Sequence, residues 1–368
     1  MKNKIIKGAI LLSLTLLLAG CTQSLKSKDN QLVKYDSSII CKSCESTCDV
    51  LQKEYDELDK KTGKTKTEIE KLESLTANIT TCKSDCTKKC DSAKENETEQ
   101  SLTANILCRP TNVDVIEIYK INGVDVQKLP VCKDFRPFSN YEGVWVTGFV
   151  KPLTWLIIQT GIFLNNYGLA LVLISLLLRA VMIPITKKST MQSENIKKAQ
   201  PEIDKINKKY EGKTDQESNS KKSQETLLIY KKYDINPLSS CLFALIQIPL
   251  LFAFIEAINR TPAIFEGKFL GLRLGVTPWA AMKSGEWWYV IIVILLVVVT
   301  YFSLNLNNKK DSTEKTDQEK QMGIMNKFMI VFIGFASFTL STAICIYWIS
   351  SSAFTAIQNI LVKRAGKK

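Results

Sequence analysis

From residue 141 onward, long apolar runs alternate with charged stretches, whereas residues 22–140 carry no run of comparable length. A helix crossing a bilayer needs about twenty mostly apolar residues. Residues 167–186, 238–258 and 287–304 each meet that need, the last opening on Trp287, Trp288 and Tyr289, aromatics suited to a membrane–water interface. Residues 328–362 are too long for one crossing, and a break near Ser341-Thr342 divides them into two. Residues 144–164 differ: Trp145, Phe149, Trp155 and Phe163 are interrupted by Lys151 and Pro152, a pattern for a helix lying in the interface. The fold class expected is an all-α polytopic membrane protein with five spans. Between the first two spans, residues 187–235 read as a charged helical hairpin. Its first arm, Met191 to Tyr210, has a thin stripe of Ile196, Ile203 and Ile206. Gly212 to Ser220 is the turn, and Gln224 to Tyr233 the second arm with Leu227, Leu228 and Tyr230.

The first twenty residues have a different logic. Lys2, Lys4 and Lys7 precede an apolar stretch from Ile10 to Leu18, then Leu18-Ala19-Gly20-Cys21, the layout of a secretory signal. The cysteine directly after Ala-Gly resembles a bacterial lipobox, which implies cleavage before Cys21 and lipidation of its thiol. Residues 1–20 are then a lipoprotein signal peptide, 21–140 an exported cysteine-rich module, and 141–364 the membrane core.

Eight cysteines follow in the exported module, and an even count in an exported, core-poor region reads as a disulfide framework. Cys41, Cys44 and Cys48 lie on one helical face, and so do Cys82, Cys86 and Cys90. With a break at Lys61-Thr62-Gly63-Lys64, they predict an antiparallel α-hairpin cross-linked along one seam, Cys48 opposite Cys82 as the inner rung. Cys108 and Cys132 bracket a rough alternation, Ile116/Ile118 and Val124/Val126 around Asn122-Gly123, which predicts a small β-hairpin closed by one disulfide. A cysteine-only metal or redox site is the alternative that Cys41-x-x-Cys44 permits.

Charge sharpens the picture of sidedness. The chain carries +13 and no histidine, which excludes Ser-His-Asp chemistry and His-based zinc sites. No Walker-type phosphate loop is present, so neither an enzyme role nor a cofactor is expected. The basic excess flanks apolar runs: residues 187–235 hold 12 Lys against 8 acids, and the tail from Lys363 to Lys368 has four basic residues and no acid. That distribution suits membrane orientation and gives no reason to expect nucleic-acid binding. An outside N-terminus and five spans put the hairpin and the C-terminus in the cytoplasm of a plasma-membrane protein. The loop 260–286, four basic residues against two acids, is a mild exception.

Arg179 stands out, thirteenth of the twenty residues in the first span. An arginine at mid-helix costs roughly 2.5–3.5 kcal/mol on insertion scales. Lys187 lies eight residues on, about 12 Å along a helix. The span-buried acid available to Arg179 is Glu256. Without such a partner, the guanidinium faces a wet cavity in the bundle. Gln247, mid-way along the second span, and Ser350, Ser351, Ser352, Thr355 and Gln358 in the last span are polar residues suited either to lining that cavity or to bonding between helices.

Taken in order, these features resemble the YidC/Oxa/Alb family of membrane protein insertases. The resemblance is carried by Asn166-Tyr167-Gly168-Leu169-Ala170 through Arg179 to Pro184, and by Lys198-Ala199-Gln200-Pro201-Glu202-Ile203 with Tyr230-Lys231-Lys232-Tyr233-Asp234-Ile235-Asn236-Pro237-Leu238. It continues through Cys241 and Gln247-Ile248-Pro249 to Ile346-Tyr347-Trp348, Ser351 and Gln358-Asn359, covering about residues 143–364. It implies a five-span core, a cytoplasmic hairpin and a positively charged groove open to cytoplasm and lipid, lined by Arg179, Gln247, Ser351 and Gln358. The implied partners are nascent membrane proteins and the lipid bilayer, with the Sec translocon and the ribosome as further candidates. Two departures touch the bends of the second and last spans: Phe243 stands where relatives usually have proline, and Ser341-Thr342-Ala343 where they often have Pro-Ala-Gly. The cysteine-rich module lies outside the resemblance. The rival readings are a small-anion transporter or channel using Arg179, and a lipoprotein scaffold for which the spans are only an anchor.

Overall fold

The computed structural model of the chain describes residues 22–35, 37–95, 101–213, 215–236, 238–305 and 317–365. The signal segment and Cys21 lie outside the described residues, as does the side chain of Gln247.

In the cysteine-rich half, Ser37–Asp59 (α1) and Lys66–Glu95 (α2) pack as a helical hairpin. Its turn holds Gly63 at φ +78°, a left-handed conformation that glycine adopts without cost. Thr65 and Glu68 then close a reciprocal cap: the Thr65 N–H donates to Glu68 Oε2 at 2.9 Å and the Glu68 N–H to Thr65 Oγ1 at 3.4 Å. Disulfides Cys41–Cys90, Cys44–Cys86 and Cys48–Cys82 staple the two helices. The Cys48, Cys82 and Cys86 sulfurs crowd together, but each is spent in a disulfide. At the hairpin's base, extended segments meet at Ser24–Thr103 and Lys34–Ser101. They cover a small core of Leu25, Val33, Tyr35, Ile40, Ile118 and Tyr119.

The β-hairpin expected between Cys108 and Cys132 does not form, although that disulfide does. Val113–Ile121 is instead a helix (α3), capped by Asn112, whose Oδ1 accepts the Asp114 N–H at 2.8 Å. The apolar positions 115, 118 and 119 follow the helical period, burying Ile118 and Tyr119. Asn122-Gly123 acts as a helix stop, with Gly123 at φ +80°, rather than as a strand turn.

The membrane half begins with Gly143–Phe163 (α4), one continuous helix with a wide π-turn at Val146–Val150 just before Pro152, which lacks the N–H an α-turn requires. Then come Tyr167–Val181 (α5), Ile183–Lys209 (α6), Gln216–Lys232 (α7), Leu238–Asn259 (α8), Val290–Asn305 (α9), Asp317–Thr339 (α10) and Thr342–Ala365 (α11). Among the described residues, Gly143–Phe163, Trp287–Leu304 and Thr342–Leu361 are long and apolar enough to cross a membrane. α11 packs between α5 and α9, and α10 lies on α9. Segment 260–289 links α8 to α9 at one end of the bundle and carries a two-stranded hairpin, Lys268–Phe269 (β1) with Leu272–Arg273 (β2).

α4 meets the length criterion for a span, yet both of its ends are tied to that same end of the bundle. Near its start, Trp145 Nε1 donates to Glu256 near the end of α8. At its finish, Gly161 packs on the Tyr167 ring, and the neighbouring Gly168 packs on Phe269 of β1 so closely that a Cβ at either glycine would overlap the ring. Gln159 also donates to the Lys133 carbonyl in the cysteine-rich half. This is the geometry of a helix lying along one face of the bundle.

The first span is also shorter than its apolar run. α5 ends at Val181 with Met182 as its C-cap, and a new helix starts at Ile183 with Pro184 in its first turn. Pro184 has no N–H to give the Ala180 carbonyl, so the helical ladder is interrupted here. The break between the last two spans falls at Leu340-Ser341. There the Thr342 and Ala343 N–H groups donate to the Val276 and Leu274 carbonyls.

α6 and α7 form the charged hairpin around Ala199, Ile203, Ile206, Tyr210, Ile229 and Ile235. Two matched rungs tie its arms. Glu225 accepts from Lys209 at 2.6 Å and Tyr210 Oη at 2.9 Å, and Glu202 accepts from Lys232 at 2.6 Å and Tyr233 Oη at 2.8 Å. These partners hold both carboxyls below the ordinary glutamate range.

Candidate functional site

The break at Met182 moves Arg179 from mid-helix to the last turn of α5, where the negative end of the helix dipole favours a cation. Its side chain is buried, with 8% of its surface exposed. The guanidinium Nε donates to Ser351 Oγ on α11 at 2.7 Å. Seven residues further along both stretches, Gln358 Nε2 donates to Thr186 Oγ1. Equal offsets of seven, two helical turns each, mean that the first and last spans run parallel with their polar faces in register. Three of the four groove residues named from sequence are thereby placed: Arg179 and Ser351 in direct contact, and Gln358 two turns further along. The side chain of Gln247 lies outside the described residues, on a helix that packs against α11.

The wall toward the 260–289 end is apolar. Tyr347, one turn before Ser351, stacks on Phe254 of α8 with ring centroids 3.9 Å apart. Beyond this pair come Ala257, Ile258, Ile264 and Ile344, all buried.

Among the described residues, no carboxylate lies within ion-pair distance of Arg179. Glu256, the acid that could have neutralised it, is committed elsewhere. It accepts from Trp145 Nε1 at 2.9 Å and from Arg260 Nη1 at 3.2 Å. Arg260 also reaches Glu142 Oε2 at 2.5 Å, and Lys151 Nζ reaches Glu142 Oε1 at 2.8 Å. Burial raises the Glu142 carboxyl, but Lys151 and Arg260 outweigh it and leave it below the usual glutamate range. Sequence reasoning missed this four-charge cluster. Lys151 registered only as an interruption, Arg260 only as a loop charge, and Glu142 not at all. The odd basic excess of loop 260–286 was the one signal.

Arg179 can therefore hydrogen-bond an acceptor without first releasing an ion pair. A hydroxyl holds one donor edge of the guanidinium, and the Thr355 hydroxyl and Gln358 amide lie along the same helix face. That equipment can orient polar or acidic groups.

Comparison with known proteins follows the same stretch of chain. The family model of the "60Kd inner membrane protein" matches residues 159–368. A "Membrane protein insertase YidC" of Oceanobacillus iheyensis is 32% identical over 226 residues, 61% of this chain and 86% of the relative. "Membrane protein insertase YidC 2" of Listeria innocua is 31% identical over 248 residues, 67% of this chain and 79% of the relative. "Membrane protein insertase MisCA" of Bacillus subtilis is 32% identical over 245 residues, 66% of this chain and 85% of the relative.

Proposed function

This chain belongs to the 60Kd inner membrane protein family, and from that membership we propose that it is a membrane protein insertase whose polar groove is built around Arg179. The observation that carries the groove is the guanidinium held by the Ser351 hydroxyl while Glu256 is occupied by Arg260. Gln358 and Gln247 complete the polar lining, and residues 141–364 form the core that bears it.

The mechanism is physical. A client's polar outer segment must cross hydrocarbon, where each unpaired polar group is costly. A cationic, hydroxyl-lined groove shortens that dry path and attracts acidic residues. The client's apolar helix then leaves sideways into lipid, and its burial drives the step. The clients are nascent membrane proteins. The charged hairpin 187–235 and the basic tail face the cytoplasm, where the ribosome and the Sec translocon are candidate partners.

The other end of the bundle, with the exported module, faces outward. There, a cleft of about 490 Å³ is lined by Thr22, Asn259, Thr277, Trp279 and Thr339, among others. Thr22 therefore lies level with the outer ends of α8 and α10. That position of Thr22 is compatible with the lipoprotein reading.

Reconstituted vesicles test the groove with a small client carrying an acidic tail. A hydrogen bond to a charged group contributes about 1.5–3 kcal/mol, so Arg179→Ala should lower insertion by roughly tenfold or more. Arg179→Lys should keep part of the activity, since charge matters here more than fork geometry. Unchanged insertion by Arg179→Ala sinks the groove reading.

A further inference from the structure

Part of the exported module is packed into the bundle's own core. Leu107, Cys108, Cys132 and Phe135 share one apolar core with Trp145, Val150, Phe254, Ala257 and Tyr347. The Leu107 N–H donates to the Arg260 carbonyl at 2.8 Å, and Arg260 Nε donates back to the Asn105 carbonyl at 2.6 Å. The remaining guanidinium donors hold Glu256 and Glu142, and the buried Lys151 Nζ binds Glu142 and the Ser139 and Asn140 carbonyls. All four charges belong to residues 141–364, and Arg260 and Lys151 reach the module through its backbone carbonyls. A second attachment lies alongside: Glu266 accepts the Thr111 N–H at 3.1 Å and the Asn112 N–H at 3.0 Å, together with the Thr111 hydroxyl.

A loose tether would not exchange two hydrogen bonds with an arginine that is 1% exposed while sharing the bundle's apolar core. We propose that residues 105–112 and 132–135 are a built-in cover over the outer end of the bundle, with Arg260 as its clamp and the Cys108–Cys132 disulfide joining its two legs. The cover closes the outer side of the apolar wall formed by Phe254 and Tyr347, so that the polar path at Arg179 opens on one side of the membrane only. This assigns the exported module a mechanical role. It rests on the insertase reading for the groove being closed, not for the closure itself.

Ala257, fully buried beneath the cover, is the reporter position. Intact cells carrying full-length Ala257→Cys are treated with a membrane-impermeant maleimide, and the labelled cysteine is identified by mass mapping, which separates it from Cys241 and Cys345. With Arg260 present, position 257 stays unlabelled. With Arg260→Gln it labels at least about tenfold faster, equivalent to ~1.4 kcal/mol of closing energy, and vesicles of the Arg260→Gln protein leak protons. Arg260→Lys restores most of both. Leu107→Ser, which leaves all four charges in place, gives the same two signals should the arginine variant fail to accumulate. Tight vesicles and an unlabelled position 257 in Arg260→Gln, with the native disulfide map intact, overturn the cover. Neither readout needs a client: leaky Arg260 variants beside an active Arg179→Ala would keep the cover and discard the groove.

Discussion

Two buried arginines in this bundle are held in opposite ways. Arg260 is ringed by two carboxylates and a backbone carbonyl, whereas Arg179 has a serine hydroxyl. A neutralised guanidinium can serve only as structure; a hydroxyl-bound one keeps its charge for an incoming acceptor. Removing the hydroxyl should be felt in stability. Ser351→Ala leaves a buried donor unpaired and should cost about 1–3 kcal/mol in detergent unfolding, with Ser351→Thr recovering most of it. A second prediction concerns Glu117 of α3. Its carboxyl is held below the usual range by the Ser43 hydroxyl first and Lys89 at 3.2 Å next, against the cost of burial. A lowered folded value means stabilisation that is complete above the unfolded value of about 4.3 and is lost as pH falls through the folded one. Hydrogen exchange across α3 should therefore quicken only below about pH 4, and Glu117→Gln should flatten that response. Arg179 was legible in the sequence because a lone cation interrupts an apolar run. Arg260 was not, because its burial depends on Asn105 and Glu142, 155 and 118 residues away.

Elements were legible where one periodicity ruled. The cysteine spacing in α1 and α2 foretold a cross-linked hairpin, and the Ile stripe of α6 foretold the arm that packs on α7. They were misread where short segments mixed signals. In α3, the adjacent apolar pairs Val115-Ile116 and Ile118-Tyr119 were a helical face, and Asn122-Gly123 a helix end. In the first span, Pro184 divides one apolar run into two helices, which shifts Arg179 toward the end of α5. The disulfides should differ in reach. Cys41–Cys90 staples only the α1–α2 hairpin, whereas both cysteines of Cys108–Cys132 lie in the core shared with the membrane helices. Replacing Cys108 and Cys132 by serine should cost about 2–4 kcal/mol and lower the unfolding temperature of the membrane half as well. Replacing Cys41 and Cys90 should leave that half unchanged in domain-resolved thermal scans.

At the scale of the molecule, packing runs across the compositional boundary at residue 140. The hydrophilic hairpin α1–α2 projects from a base whose last part, residues 105–135, is joined to the bundle. The sequence displays the polar-to-apolar change but not this junction, since Phe135 is a lone apolar residue and Ile106-Leu107-Cys108 only a short run in a polar stretch. Shortening the α1–α2 hairpin while retaining residues 101–142 should accordingly spare insertion, whereas loss of 101–142 should open the outer end, as read by proton leak. The central claim concerns where a client's polar segment travels. Arrested nascent chains with an acidic outer segment can be offered photo-crosslinking probes at Ser351 and Gln358, and at Val331, which is 71% exposed on the outward face of α10. The account predicts crosslinks from the polar segment to positions 351 and 358 and none to 331. Crosslinks at 331 with positions 351 and 358 silent would contradict it.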